Sequence, residues 1–599
     1  MKANGELIAG LVAHLALLGA PGVAAAVYAT SRGVRDVPVR LGIALVASGV
    51  SAFAAFWAYY ADPVVGQTWD FLLLGGSVLL VVWLWREGRI ERRALAPLAA
   101  PLGLWVLGCC FVVFLGFLHG GTDNAIPMSA LRFSFQLPSD NDIPRYFTEW
   151  FATHGHQNPP PVYPPNWLMS DRPPLQVGYA LSQRGFMPTE RELHYEILCV
   201  GVQSLWIVGM WAVLLAARLR PLTRGLAMVA AMFSDIAILH GFFVWPKLIA
   251  AAFLLAALAI VISPAWERGR RDLRVAALVG ALIALAMLAH GSSIFGVIPL
   301  ALLALWRGLP SWRWLGIAAV ALLALMIPWS AYQHYADPPG NRLLKWQLGG
   351  DIALDSKGTL EAIEDGYSEA GFEGTVDHKL ANFEEIAGWP RAKNDLEAVA
   401  DDLEAGKPGL AAAAIRDLRF FSLIPFLGLL LIALPAMAVG RRRAGRDERE
   451  WRFSLLCFGF FALACLAWGL LLFGTPDARA TIHVGSLAVP LLGLVGCVVG
   501  LRSVFPRLAA WLVGVNVFCV LLLYTPSLTP PPGTSYSPLT AALALASLLG
   551  FALLAFGIDS DGKLFGHARS VALGDPGGGD HLPPRPDPAD RPDLRQRLG

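Results

Sequence analysis

The chain has 599 residues, 55% of them hydrophobic and 15% charged, with a mean hydropathy of +0.53. Such a composition is too apolar for a water-soluble enzyme and long enough for many membrane crossings, so the class is a polytopic membrane protein. The formal net charge of +2 leaves no clustered basic face beyond the short connections between apolar runs, which excludes a nucleic-acid partner.

Apolar runs fall near 7–28, 39–60, 70–86, 95–118, 196–217, 223–241, 246–263, 274–290, 293–307, 313–330, 419–440, 452–473, 482–501, 506–524 and 537–557. Each is roughly 15 to 25 residues, the length of a helical crossing, so the pattern predicts an all-α protein of about fifteen spans. Lys2 is the sole basic residue ahead of the first run and further spans follow at once, so that run reads as a span rather than a cleaved signal peptide.

Arginines mark every second connection: Arg32, Arg35 and Arg40; Arg86, Arg89, Arg92 and Arg93; Arg218, Arg220 and Arg224; Arg268, Arg270, Arg271 and Arg274; Arg307 and Arg313; Arg441, Arg442, Arg443 and Arg446; Arg502 and Arg507. The positive-inside rule makes these cytoplasmic. The amino terminus and the two long connections, 119–195 and 331–418, then lie outside. The resulting layout is three spans over 1–94, a seven-helix module over 95–330 that includes the 119–195 connection, the 331–418 connection, further spans over 419–557, and a Gly/Pro/Asp/Arg-rich cytoplasmic tail over 558–599 that lacks the apolar content to fold.

The 331–418 connection is acidic, with 17 Asp or Glu against eight Lys or Arg over 331–417. Val376, Leu380, Phe383 and Ile386 recur at helical spacing, as do Leu396, Val399 and Leu403, which predicts short amphipathic helices capping the bundle. All seven cysteines (Cys109, Cys110, Cys199, Cys457, Cys465, Cys497, Cys519) fall in apolar runs, an arrangement that argues against disulfides or zinc in the polar connections.

Long polar connections are commonly functional, and 119–195 carries the densest acidic and basic residues at a membrane face. Asp140-Asn141-Asp142-Ile143-Pro144 puts two carboxylates two residues apart in irregular backbone. They suit one ligand, a divalent cation such as Mg²⁺ or Mn²⁺, or equally a solvated turn. In Ser170-Asp171-Arg172-Pro173-Pro174-Leu175 the prolines stiffen the chain behind an acid and a base. Such a pair either contacts substrate or orders the loop. Asp123, just past the fourth span, is a further carboxylate at the same face.

Asp235 and Lys247 flank a tight outer hairpin, Leu239 to Lys247. Charge in lipid is costly, so both are expected to face protein or a wet cavity, with Lys247 available to a phosphate, to headgroups or to Asp235. His290-Gly291-Ser292-Ser293 is a polar helix end that either caps or binds. After the tenth span, Asp337-Pro338-Pro339-Gly340 reads as a turn leading to Arg342, Lys345 and Trp346, a cationic and aromatic surface suited to a phosphate or sugar, or to interfacial anchoring. Asp477, Arg479 and His483 form one more outer polar cluster, read as structural.

Taken together, these features resemble the GT-C superfamily of integral-membrane glycosyltransferases that use polyprenyl-phosphate-linked sugars. The resemblance covers roughly residues 95–440: a span followed by a large outer loop with acidic residues, seven spans, then a second large outer loop. Asp171-Arg172-Pro173-Pro174-Leu175 is similar to the family's Pro-Pro-Leu element late in the first loop, and Asp140 and Asp142 occupy its earlier acidic site. Three extra spans ahead of the module depart from the pattern. The resemblance implies transfer of a sugar from a polyprenyl-phosphate donor to a glycan, lipid or protein acceptor on the outer face of the plasma membrane, with inversion. It casts Asp142 as general base, with Asp140 and then Asp171 as further candidates, and Lys247, Arg342, Lys345 and Arg172 as donor-phosphate ligands. Asp123, His290 and Trp346 would contact substrate. A multi-pass transporter, and a polysaccharide polymerase or ligase using diphosphate-linked glycans, are the alternatives of different class.

Overall fold

The computed structural model describes residues 2–90, 92–133, 137, 139–163, 166–387, 389–421, 424–440, 447–475, 487–524 and 537–557. The arginine cluster at 441–446, the Asp477/Arg479/His483 cluster and the tail from 558 lie outside the described residues. Apart from one antiparallel bridge between Val162 and Trp167, the described secondary structure is helical.

Four long helices open the chain: α1 (Lys2–Ser31), α2 (Val37–Ala61), α3 (Pro63–Arg86) and α4 (Arg92–Gly116). The 119–195 connection holds three short ones, α5 (Ala125–Leu131), α6 (Ile143–His154) and α7 (Leu175–Leu181). The bundle continues with α8 (Glu192–Gln203), α9 (Trp206–Ala216), α10 (Pro221–Met232), α11 (Asp235–Phe242), α12 (Lys247–Ile262), α13 (Trp266–Gly269), α14 (Leu273–Ala289), α15 (Ile294–Trp306) and α16 (Trp312–Ala331). The second long connection holds α17 (Arg342–Gly349), α18 (Thr359–Ala387) and α19 (Trp389–Glu404). The last group is α20 (Pro408–Phe421), α21 (Ile424–Gly440), α22 (Glu448–Leu471), α23 (Ala488–Val504), α24 (Pro506–Tyr524) and α25 (Pro538–Gly557).

Among the described residues, nine helices are long and apolar enough to cross a membrane, and ten if the pair α10 and α11, bent by 47° at Phe233 and Ser234, is one span. Four further apolar helices are shorter, over Lys247–Ile262, Leu273–Ala289, Gly291–Trp306 and Ala488–Val504. The expected fifteen equal crossings are thus nine or ten full-length candidates plus short helices. The reason is burial: every residue of α12 is buried, so it is apolar all round because it is the centre of the bundle, not because it meets lipid. The windows of α3 and α16 are only 17% and 11% buried, which puts these helices at the rim.

Hydrogen bonds sort the connections between helices into two ends. At one end Arg40 Nη1 donates to Ala94 O at 2.6 Å, Ser263 Oγ to Asp36 at 3.0 Å, Arg307 Nη1 to Ile262 O at 2.6 Å, and Arg220 pairs with Asp447 at 2.5 Å. At the other, Ser537 N donates to Leu118 O at 3.0 Å, Glu6 pairs with Arg191, Gln176 Nε2 donates to Val244 O at 2.9 Å, and Phe473 N to Gln347 O at 2.8 Å. The arginine-bearing connections among them share the first end and both long connections share the second, in line with the alternation read from the sequence.

Length then creates relief. At 1.5 Å per residue α12 spans about 24 Å, against about 38 Å for α2. With Ile262 held at the arginine end, Lys247 stops below the level where the longer helices finish. Residues of the first long connection fill that depression: α7 lies against α2 and α6. In the second connection, α18 is longer than the short helices expected. It breaks at Gly371 (φ 62°, ψ −170°), and its second half sits on the end of α22, where Asn382 Nδ2 donates to Gly469 O and Leu472 O at 3.1 and 3.0 Å.

Candidate active site

Lys247 is the first residue of α12 and is fully buried. Trp245, two residues earlier across Pro246, puts its ring centroid 3.5 Å from the ammonium, a cation–π contact that offsets part of the desolvation. The first turn of α12 is fixed from below. Gln203 Oε1 accepts from Leu248 N and Ile249 N at 3.2 and 3.0 Å, so those helix-terminal donors are satisfied by a side chain. Gln203 Nε2 donates to Gln176 Oε1 at 3.2 Å, and Gln176 Nε2 donates to Tyr195 Oη at 3.0 Å as well as to Val244 O. This buried amide chain ties α8, α7 and the α11–α12 connection to one point.

Above it, Arg172 Nη2 donates to Asp140 Oδ1 at 2.8 Å, both side chains being less than a fifth exposed. Asp140 and Arg172 are close enough for their charges to act on Lys247, and Lys247 and Arg172 for theirs to act on His290. His290 caps α14 and is oriented by Ser292, whose N and Oγ lie 3.2 and 2.7 Å from its Nδ1. Four chain segments therefore bring one carboxylate, two cations and one imidazole together over the middle of the bundle.

The other candidates are brought near but employed differently. Asp142 opens α6, where Arg145 Nε donates to Oδ1 at 2.6 Å and Tyr163 Oη donates to Oδ2 at 2.5 Å. Asp140 and Asp142 thus turn to different arginines and share no chelating geometry. Among the described residues there is no group of three or more His, Cys, Asp or Glu that could hold a metal ion, and the two carboxylates considered for Mg²⁺ or Mn²⁺ are divided between Arg172 and Arg145.

Asp171 is 3% exposed. It closes its own turn by accepting from Leu168 N at 3.0 Å, and it pairs with Arg342 at 3.4 Å. Burial pushes its carboxyl above the ordinary value, against the pull of the Leu168 amide and the Arg342 and Arg172 guanidiniums. Arg342 also donates to Asn166 O and Ile352 O at 3.0 and 2.9 Å. Lys345, fully buried, pairs with Asp355 and donates to Ala353 O at 3.0 Å. Arg342 therefore holds the two connections together, whereas Lys345 closes the second connection on its own 351–355 segment. Trp346 lies 6.3 Å from Trp167 between ring centroids. Asp123 is exposed on the turn Thr122–Asn124, outside this contact network. Asp235 is buried at the start of α11 and Lys247 at the start of α12.

Trp167 and the contacts between the two connections complete the frame. Trp167 receives the guanidiniums of Arg172 and Arg342 at 4.3 and 4.9 Å from its ring. The turn Met169–Asp171 is gripped by the second connection: Ser170 N donates to Asp337 Oδ2, and Gln333 Nε2 to Ser170 O, each at 2.8 Å. The turn at 337–340 depends on Gly340, at φ 66°, where a Cβ would sit 2.3 Å from Gln333 O. A signal for Gln176 and Gln203 did exist, as single amides within otherwise apolar helices. For Trp167 the signal was only its nearness to a motif already marked, and Asp337 stood out only as the first residue of a turn.

No family model, no curated protein and no solved structure matches this chain.

Proposed function

We propose that this multi-pass membrane protein is a glycosyltransferase of the GT-C kind, moving a sugar from a polyprenyl-phosphate donor to a hydroxyl or amine of a glycan, lipid or protein acceptor at the end of the bundle that carries the two long connections. In this reading the fifteen apolar stretches are its fifteen spans, the arginine end is cytoplasmic and the site faces outward from the plasma membrane. The observation that carries it is the cluster of Asp140, Arg172, Lys247 and His290, recessed where the central helix stops short.

A monophosphate leaving group needs cations more than an acid. Lys247 and Arg172 are placed to stabilise charge on the departing phosphate oxygens, Arg172 as a fork and Lys247 as a point charge. The acceptor oxygen or nitrogen forms its bond to the anomeric carbon as the carbon–oxygen bond to phosphate breaks, the electron pair leaving with the phosphate. One carboxylate removes the acceptor proton, a role worth about 10²–10⁴-fold in rate. Geometry favours Asp140 over Asp142 for it, because Asp140 is the acid beside both cations while Asp142 is engaged by Arg145 and Tyr163. Asp171, Arg342 and Lys345 are positioning residues. Attack in one step inverts the configuration at the anomeric carbon.

The break between α10 and α11 favours a second reading, since interrupted helices also build the sites of secondary transporters. The decisive assay uses the purified full chain in lipid nanodiscs with short-chain polyprenyl-phosphate sugars, reading release of polyprenyl phosphate, with a parallel diphosphate-linked oligosaccharide to detect a polymerase or ligase. Turnover of the monophosphate donor that is lost in Asp140→Asn is the expected result. Wild-type turnover in both Asp140→Asn and Asp142→Asn, or solute uptake by proteoliposomes with no turnover of either donor, would overturn the reading.

A further inference from the structure

The half of the bundle nearer the arginine end contains a cavity of about 250 Å³ between α1, α2 and α4, floored by Val208 of α9 and by Leu205, the residue before that helix. Its walls are almost wholly apolar, Ser48 being the one hydroxyl among the residues that line it. It opens sideways: Val23 and Leu102, on facing helices at its lip, are 38% and 39% exposed. A polar ligand would lose its hydrogen bonds there, whereas a hydrocarbon chain entering from the bilayer would not.

Which chain enters is set by where the cavity leads. It runs from Leu18 and Ser48 towards Ala26, Val27, Leu95 and Leu98. The α1 and α4 ends of that path meet the connections that carry Arg32, Arg35 and Arg93, all three exposed. Arg40, in the same region, is instead buried and tied to Thr30, Arg35 O and Ala94 O. A lipid seated with its chain in the cavity therefore has its headgroup among three solvent-facing guanidiniums, at the opposite end of the bundle from Asp140 and Lys247.

We infer that this groove is a binding site for an anionic phospholipid of the leaflet at the arginine end, one acyl chain filling the cavity and the phosphate meeting Arg32, Arg35 and Arg93. The inference stands independently of the proposed catalytic function. A guanidinium near an anionic headgroup contributes on the order of 1 kcal/mol, so each arginine lost should weaken binding about fivefold. The groove does not take the tail of a donor whose phosphate sits at Lys247, because its apolar path leads away from that end.

The test is native mass spectrometry of the detergent-solubilised full chain, titrated with dioleoyl phosphatidylglycerol or dioleoyl phosphatidylcholine. The wild type should retain the anionic phosphatidylglycerol more tightly. Arg32→Gln/Arg35→Gln/Arg93→Gln should lose that preference and keep residual binding. Ala99→Trp, at an exposed position on the α4 wall, should lose binding of both lipids, with thermal unfolding in lipid-free detergent reporting that it is folded. Equal retention of the two lipids by the wild type, or unaltered phosphatidylglycerol binding in folded Ala99→Trp together with the triple variant, would overturn the site. So would a co-purifying polyprenyl phosphate that excess phosphatidylglycerol fails to displace.

Discussion

Arg342 on α17 reaches Asp171 of the first long connection across 3.4 Å, with 3% and 1% of the two side chains exposed. A pair this buried does not stabilise a protein by Coulomb attraction alone, since desolvation cancels much of it; its effect is that neither partner can be removed cheaply. Arg342→Ala takes the guanidinium from a buried carboxylate that keeps the Leu168 amide, and Asp171→Asn takes the counter-charge from a buried guanidinium that keeps the Asn166 and Ile352 carbonyls. Each should destabilise the folded chain by about 3–5 kcal/mol, and the double variant by less than the sum. Thermal unfolding of the detergent-solubilised variants measures this, and additive losses would show that the residues act separately.

Asp337 offers a pH test of the same junction. Burial raises its carboxyl above the ordinary range, even though Ser170 N donates to it at 2.8 Å. The folded chain therefore holds this proton more tightly than the unfolded chain, so the contribution to stability falls as pH rises from the unfolded carboxylate value, near 4, through the raised folded value. Asp337→Asn keeps an oxygen for Ser170 N and removes the ionisation. It should match the wild type in acid and be the more stable above that window, with a flatter stability profile between. A profile unchanged by the substitution would remove Asp337 as its source.

Much of the helical layout was legible because hydropathy alone marks an apolar helix, and every run noted from 7–28 to 537–557 meets one wherever its residues are described. Hydropathy does not separate a helix buried by protein from one bathed in lipid, which is why α12 reads like α16 in sequence although the first is wholly buried and the second lies at the rim. The site was legible in part. Asp140, Arg172, Lys247 and His290 stand out as polar residues at helix ends, yet their meeting depends on contacts across more than a hundred residues. The same residue types at Asp171, Arg342 and Lys345 proved to be taken up in ion pairs, Asp171 with Arg342 and Lys345 with Asp355, a distinction that spacing does not carry.

The two ends of the bundle should label from opposite sides of a sealed membrane. Asp62, which caps both α2 and α3, and Arg218, beside Arg449, are at opposite ends. With single cysteines placed there in a cysteine-depleted chain, Asp62→Cys should react with an impermeant maleimide added outside cells and Arg218→Cys only after permeabilisation. Labelling of both from the same side would break the alternation on which the outer site depends.

Lys247 should separate folding from ligand affinity. Its stem and ammonium are buried against Trp245, so Lys247→Met keeps the apolar packing while it removes both the desolvation cost of the ammonium and its cation–π contact. If the ammonium serves a phosphate, the same variant should bind a short-chain polyprenyl phosphate at least about 30-fold more weakly, the low end for truncating a buried charged partner. Calorimetric titration in nanodiscs reads this. A folded Lys247→Met with unaltered affinity would reduce Lys247 to a packing residue.

Gln203 tests whether the site depends on the amide chain beneath it. Its Oε1 satisfies the amides of Leu248 and Ile249 while its Nε2 meets Gln176. Gln203→Leu leaves two buried N–H groups without that acceptor, costing about 1–3 kcal/mol for each, and it frees the first turn of α12 on which Lys247 rides. Gln203→Glu keeps an acceptor at the positive end of that helix, which favours it, but turns a donor to Gln176 into a second acceptor; a flip of the Gln176 amide would then cost its bonds to Tyr195 and Val244. The expected order of stability is wild type, then Glu, then Leu. Phosphate affinity should follow the first turn rather than global stability, so Gln203→Leu loses affinity at temperatures where it is still folded. Were Gln203→Leu to unfold earlier yet bind as the wild type does while folded, the amide chain would be a brace for the bundle with no bearing on where Lys247 points.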